Sequence, residues 1–284
     1  FLCGVDSGRA CSARPTPEER QGIAHHLIDC MPIDAPECSV SMYRDMAARA
    51  VAEIAVRGNT PIVVGGSGLY VNALTYPLGF AIPRNDEVRR QASLEYDEDP
   101  LAAFERLKKI DPITADKLHA NDKKRVVRAL EVFGCSGRSL SSFGGDFQNS
   151  AGEEPPFEPL MIGLDMDRDK LYARIGLRVD RMMEQGLPEE ARRIYDARYD
   201  PSLPALRSIG YRQLFAHFDG ACTLAEATEQ IKRDTRRFAK RQLTWFRRDA
   251  RIRWHDVTDW DGVKDALFAA LTQETQNWMK GTSR

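Results

Sequence analysis

What this sequence lacks narrows its function before any motif is read. No run approaches the roughly 20 consecutive apolar residues of a membrane-spanning helix, so no membrane partner is expected. The opening Phe1-Leu2-Cys3-Gly4 has neither the basic start nor the long apolar stretch of a secretory leader, which points to the cytoplasm. It does not begin with Met, so residue 1 need not be the natural beginning. The six cysteines, Cys3, Cys11, Cys30, Cys38, Cys135 and Cys222, are scattered without a Cys-x-x-Cys pair. Free or buried thiols in a reducing compartment fit them better than a disulfide frame or a zinc site. There is no Gly-x-x-x-x-Gly-Lys-Ser/Thr phosphate loop, no Ser/His/Asp or Cys/His signature and no metal-ligand spacing. Charge of one sign is missing too: 41 Lys and Arg against 42 Asp and Glu leave a net charge of −1, so any polyanion-binding footprint must be local.

What is present centres on Pro61–Tyr70. Ile62, Val63 and Val64 form a short strand-type run, Gly65, Gly66 and Gly68 follow, and an apolar helical pattern then begins at Leu69. A buried strand turning through glycines into a helix builds ligand sites in open α/β sheets, because the helix N-terminus offers free N–H groups. The same turn also serves plain tight packing, and spacing alone leaves both readings open. Ser67 brings a hydroxyl to it.

Ahead of this turn, Thr16-Pro17-Glu18-Glu19 predicts a helix start. His25 and His26 in a strand would face opposite sides and could not share a metal. Ser39 caps a predicted helix over Val40–Arg57 that Gly58 ends. From about Asn85 the texture changes to short charged helices, expected over Glu87–Tyr96, Pro100–Ile110, Pro112–His119 and, capped by Asn121 and stopped by Gly134, Asp122–Phe133. Ser136–Pro159 reads as a mobile connection. Strands are expected at Leu160–Leu164 and Ile252–Trp254. Helices are expected at Lys170–Gln185, Pro188–Tyr195, from the Thr223 capping box to about Arg248, and at Trp260–Trp278; Pro201–Tyr211 is a loop and Arg212 opens a short helix. The result is an α/β core in two parts, residues 1–84 and 160–284, with a helical insert and connection over 85–159.

The densest charge lies between Lys232 and Arg253, where ten Lys and Arg accompany only Asp234 and Asp249. Ile231, Phe238 and Trp245 recur every seven residues, predicting an apolar seam with cations around it. A solvated basic face is the plain reading; the density in a chain with no net cationic charge favours phosphate contact. A smaller cluster, Lys123, Lys124, Arg125 and Arg128, sits on the last helix of the insert, and two basic helices could grip a polyanion between them. Arg89, Arg90, Arg207 and Arg212 read equally as surface arginines or as diphosphate and RNA donors.

Several segments together resemble the tRNA dimethylallyltransferase (tRNA isopentenyltransferase) family: Pro15–Arg20, His25–Asp29, Gly65–Tyr70, Asn121–Val132, Gly210–Gln213 and Ala239–Arg247. They run in family order over about residues 12–248. The resemblance implies a core like that of the phosphate-loop NTPases, with a parallel sheet incomplete at the N-terminus and a helical insert that closes on the tRNA anticodon stem-loop. It implies transfer of a dimethylallyl group from dimethylallyl diphosphate to N6 of adenosine 37, in tRNAs reading codons that begin with U, with Mg2+ assisting. A flipped base, a neutralised diphosphate and a general base are what that chemistry requires. Carried over by motif, Ser67 lies at the substrate adenosine, and Arg89 at the entrance to the insert. Lys124, Arg125 and Arg128 meet tRNA. Arg207, Gly210, Tyr211 and Arg212, with Lys240, Arg241, Gln242, Thr244, Trp245 and Arg247, line the tRNA and diphosphate channel. The family's N-terminal phosphate loop has no counterpart in the sequence, and Gly4–Gly8 matches the segment just after the family's Asp-Ser pair better than the pair itself, which leaves the general base absent as well; the alternative match of Asp6-Ser7 to the pair would make Asp6 the base. A monomer is expected. A catalytically inactive tRNA-binding remnant is the alternative; a nucleotide kinase would need the phosphate loop and lacks the Lys240–Arg247 block.

Overall fold

The computed structural model describes residues 5–6, 15–35, 39–76, 82, 85–143, 157 and 159–282, with side chains described from 15 to 279. Contacts divide the chain into two units, one of Phe1–Val71 with Glu158–Arg284 and the other of Asn72–Phe157.

In the first unit, β1 (Val5–Asp6) pairs in parallel with β2 (Met31–Pro32). Helix α1 (Val40–Val56) begins at Ser39, whose hydroxyl accepts from the Met42 amide, and stops before Gly58 at φ +75°. After the insert come β3 (Ile162–Asp165), α7 (Arg168–Glu184), α8 (Leu187–Asp196), a 3-10 turn (Pro204–Arg207), α9 (Tyr211–Phe218), α10 (Leu224–Phe246), β4 (Arg253–Asp256) and α11 (Trp260–Thr282). Strands β3 and β4 are parallel, Gly163 opposite Trp254. One core joins Val179 of α7, Leu187 and Ala191 of α8, Leu214 of α9 and Ile231 of α10; another joins Ile33 after β2 to Ile194 and Leu206.

The second unit is helical: α3 (Asp86–Glu98), α4 (Pro100–Ile110), α5 (Pro112–Ala115), α6 (Lys123–Ser136) and a 3-10 turn at Leu140–Phe143. Helix α2 (Gly68–Thr75) runs across the division between the units. Asn85, Asp99 and Asp111 cap the first three insert helices with their side chains, each leaving the preceding chain extended enough to turn a corner. Leu107, Val126, Ala103 and Leu130 fill the core, and Tyr96 donates its hydroxyl to the Ala120 carbonyl at 2.5 Å.

Several expectations change. Thr16 and Glu19 do close a reciprocal capping pair, but positive φ at Gln21 and Gly22 ends the coil after a turn, so no helix propagates. His25–Asp29 is a bent segment with Leu27 and Asp29 at positive φ, not a strand. Ile62–Val64 pairs with no described strand and its side chains are 82, 50 and 68% exposed. An apolar run encodes extended backbone, but only a partner makes it a strand. Gly134 does not stop α6. The helix passes through it to Gly137, whose φ of +68° makes the left-handed cap; Gly134 instead serves the α3–α6 approach, where Val88 Cγ1 would sit 2.8 Å from an added Cβ. Asp122, not Asn121, occupies the α6 N-cap, and α5 ends at Ala115 rather than His119. Arg212 is the second residue of α9, behind Gly210 and Tyr211. The expected connection after Ser136 begins with ordered structure, Ser141 donating its amide to Asp111 at 2.9 Å; residues 144–156 and 158 lie outside the described residues. The heptad seam of α10 fails at Phe238, which is exposed at 38% with Arg241 over its ring, while Ile231 is buried.

Candidate tRNA and prenyl-donor site

In the first unit the glycine turn lies against α10. Gln242 donates its side-chain amide to the Gly66 carbonyl at 2.9 Å. A methyl group added at Gly66 would overlap the Gln242 amide, and one added at Gly68 would overlap the Trp245 indole. These glycines therefore serve close approach, which only residues without a Cβ allow. Ser67 is half-buried between them, and its carbonyl accepts from the amides of Tyr70 and Val71 at 2.9 and 3.1 Å, opening α2. Tyr70 stacks on Tyr43 of α1 with ring centroids 4.6 Å apart.

The Gly210–Gln213 motif is fixed to the same long helix. Gly210, at φ +110°, makes the sharp entry to α9 that a side chain would strain, and its amide donates to Gln213 Oε1 at 2.9 Å. Arg212 and Gln213 both donate to Asp234 Oδ2, at 2.6 and 2.8 Å, and Arg237 reaches Asp234 Oδ1 at 3.4 Å. Burial alone would raise the Asp234 pKa, but hydrogen bonds from Gln230, Gln213 and Arg212 outweigh it and hold the carboxyl below its ordinary value. Tyr211 donates its hydroxyl to the buried Glu190 of α8. Arg207 stands exposed on the 3-10 turn.

The carboxyl ends of β3 and β4 open onto a cavity of about 660 Å³ bordered by Asp165, Arg168, Tyr172, Lys240, Thr244 and Arg247. Arg247 pairs with Asp165 at 2.7 Å, and Arg168 donates to the Tyr172 hydroxyl at 3.0 Å. Of the cations on α10, Arg233, Arg236 and Lys240 form no ion pair among the described residues, whereas Lys232 is held by Asp180 and Glu229. The basic run thus divides into cations that build the fold and cations left facing solvent.

In the second unit, Arg89 and Arg128 flank Glu131, which is wholly buried: their guanidinium nitrogens lie 3.4 and 3.0 Å from its carboxylate, and the Asn85 amide donates to it at 3.1 Å. Arg128 also donates to the Ile82 carbonyl at 2.9 Å. Lys124 and Arg125 are exposed on the same helix, Arg125 3.3 Å from Asp122. Asp6 ends β1 and its side chain lies outside the described residues. Cys135 and Cys222 are free thiols; Cys3, Cys11 and Cys38 lie outside the described residues. Reading the sequence alone gave no role to Asp234, Glu131, Glu190 or Asp165. Asp234 carried a signal, as one of two acids inside a dense cationic run; the others carried none until the fold brought arginine or tyrosine to them.

A model of the IPP transferase family matches residues 9–249. The chain belongs to that family. It is 43% identical over 279 residues to a tRNA dimethylallyltransferase of Pelotomaculum thermopropionicum, covering 98% of this chain and 85% of the relative. It is 39% identical over 284 residues to one from Geobacillus kaustophilus, covering 98% and 84%. Among solved structures it resembles the full-length tRNA isopentenylpyrophosphate transferase of Bacillus halodurans, with 36% identity, a TM-score of 0.66 and coverage of 99% and 87%. It also resembles a eukaryotic dimethylallyltransferase caught acting on tRNA, with 25% identity, a TM-score of 0.78 and coverage of 93% and 68%. The glycine turn, the Gly210–Gln213 motif and α10 all fall inside the matched span.

Proposed function

We propose that this chain is a transferase that modifies tRNA by prenyl transfer, moving a dimethylallyl group from dimethylallyl diphosphate to N6 of adenosine 37. Likeness to tRNA dimethylallyltransferases along 98% of the chain carries this reading. In the reaction a bond forms between the adenine N6 and the first carbon of the dimethylallyl group. The bond from that carbon to the diphosphate oxygen breaks with its electron pair, and the N6 proton passes to a base. Diphosphate departs with its charge concentrated on oxygen, so preorganised cations and N–H donors lower the barrier most. In this chain Lys240, Arg207 and Arg212, the last held at Asp234 and half exposed, supply cationic charge on the unit that carries the glycine turn, and Ser67 offers a hydroxyl at the turn. Lys124 and Arg125 offer phosphate contacts on the insert. Asp6 is the candidate base.

The preference for tRNAs reading codons that begin with U, a phosphate-loop NTPase-like core, a cytoplasmic location and a monomeric state complete this reading. No helix among the described residues is long and apolar enough to cross a membrane. Mg2+ belongs to the reading as well. Among the described residues no group of three or more His, Cys, Asp or Glu is placed to hold a metal ion; Mg2+ would be held chiefly by the substrate diphosphate, as is usual for this ion.

Incubating the chain with unmodified tRNA bearing adenosines 36 and 37, Mg2+ and labelled dimethylallyl diphosphate tests the reading. Label on adenosine 37 is expected. Salt-sensitive tRNA binding without label would overturn it in favour of a non-catalytic tRNA-binding protein.

A further inference from the structure

The resemblance treats Lys240–Arg247 as one channel-lining block, but α10 turns that block two ways. At 3.6 residues per turn, Gln242 and Trp245 share one side of the helix, and Lys240, Thr244 and Arg247 lie about half a turn round from them. The second group borders the cavity at the ends of β3 and β4. The first is pressed onto the glycine turn: Gln242 bonds the Gly66 carbonyl, and the Trp245 indole occupies the space above Gly68 where a Cβ would be.

We infer that Gln242 and Trp245 are positioning residues for the Gly65–Leu69 turn rather than tRNA contacts, and that they hold Ser67 and the first turn of α2 in register with α10. This rests on the prenyl-transfer reading only for its catalytic consequence; the contact itself does not. Ile62–Val64 leads into the turn exposed and pairs with no described strand. Among the described residues no ladder orders the turn on that side. A directional bond to the Gly66 carbonyl and an indole seated over Gly68 hold the two peptide groups flanking Ser67. A glutamine suits this task because its amide donates to a carbonyl without introducing charge. Glutamate is nearly isosteric but, when ionised, has no proton to donate and would repel the Gly66 oxygen.

The test compares Gln242→Ala, Gln242→Glu, Gly66→Ala and the double variant Gly66→Ala/Gln242→Ala with the unaltered chain. It reads amide hydrogen exchange across 66–71 and binding of an anticodon stem-loop RNA. Both readouts are independent of turnover. Exchange at the Tyr70 and Val71 amides is expected to quicken roughly fivefold in Gln242→Ala, the scale of one neutral hydrogen bond, and at least as much in Gln242→Glu, with α8 and α9 unchanged. RNA affinity should change less than about twofold in Gln242→Ala. Gly66→Ala breaks the same contact, so the double variant should exchange no faster than the faster single variant. Where labelled transfer is measured, kcat should fall more than KM for tRNA rises. Unchanged exchange at 66–71, multiplicative effects in the double variant, or loss of RNA affinity as the main effect of Gln242→Ala would overturn the inference. Absence of transfer by the unaltered chain would count against the prenyl-transfer reading and leave the exchange result decisive for the positioning role.

Discussion

The guanidinium of Arg128 lies 3.0 Å from the carboxylate of Glu131, a side chain with no exposure to solvent. Arg89 approaches the same carboxylate from α3 at 3.4 Å, and both arginines keep about a third of their side chains in water. The arrangement ties α3 to α6 through a buried acid flanked by two guanidinium groups. Arg128, which the family resemblance has meeting tRNA, and Arg89, which it places at the entrance to the insert, therefore have a structural task in the insert. Removing either leaves a buried carboxylate short of a partner, which costs more than the pair itself contributes. Arg128→Ala is expected to destabilise the insert by roughly 2–4 kcal/mol in chemical denaturation. Lys124→Ala, on the exposed face of the same helix, should change stability by less than about 0.5 kcal/mol.

Asp234 sets an acid limit on the first unit. Its folded pKa is depressed, so its contribution is fully present above the unfolded value of about 3.9 and is lost as pH falls through the folded value below that. Asp111 of the insert behaves alike: burial would raise it, but hydrogen bonds from Ser141 and Thr114 prevail and lower it. Stability followed by circular dichroism should fall below about pH 4. Asp234→Asn should cost about 1–3 kcal/mol at pH 7 and flatten the acid limb.

Gly134 separates two opposing effects. In an exposed helix Gly→Ala stabilises by about 1 kcal/mol, but here the new methyl meets Val88 Cγ1 at 2.8 Å, and a β-branched side chain on a helix has little freedom to turn away. Gly134→Ala is expected to lower the thermal midpoint by a few degrees, equivalent to about 1–2 kcal/mol. Gly134→Ala combined with Val88→Ala should recover part of that loss.

Lys240 and Arg247 share a helix face but not a situation, because Arg247 is paired to Asp165 and Lys240 makes no ion pair among the described residues. Lys240→Ala should weaken anticodon stem-loop binding about three- to tenfold and reduce the salt dependence of log K by roughly 0.7–0.9. Arg247→Ala should also release the Asp165 carboxylate and lower stability, which a parallel melting curve would separate from lost binding.

Much of the local structure was legible in the sequence. The Ser39 cap, the Pro100–Ile110 helix, the Thr223 capping box and the stop at Gly186 are each decided by residues within a few positions of one another. So was the family, because its motifs are local strings in a fixed order. Tertiary contact decided the rest. Gly134 reads as a helix stop until α3 is seen lying against it. Ile62–Val64 reads as a strand, yet a strand is a pairing and the sequence of one segment cannot supply its partner. Arg89 and Arg128 look like free cations until Glu131 turns out to be buried beneath them, and Gln242 looks like part of a basic block until α10 turns it onto Gly66. Periodicity and capping are set by near neighbours along the chain; which charge is neutralised and which glycine is crowded depends on residues distant in sequence, and only the folded arrangement brings those together.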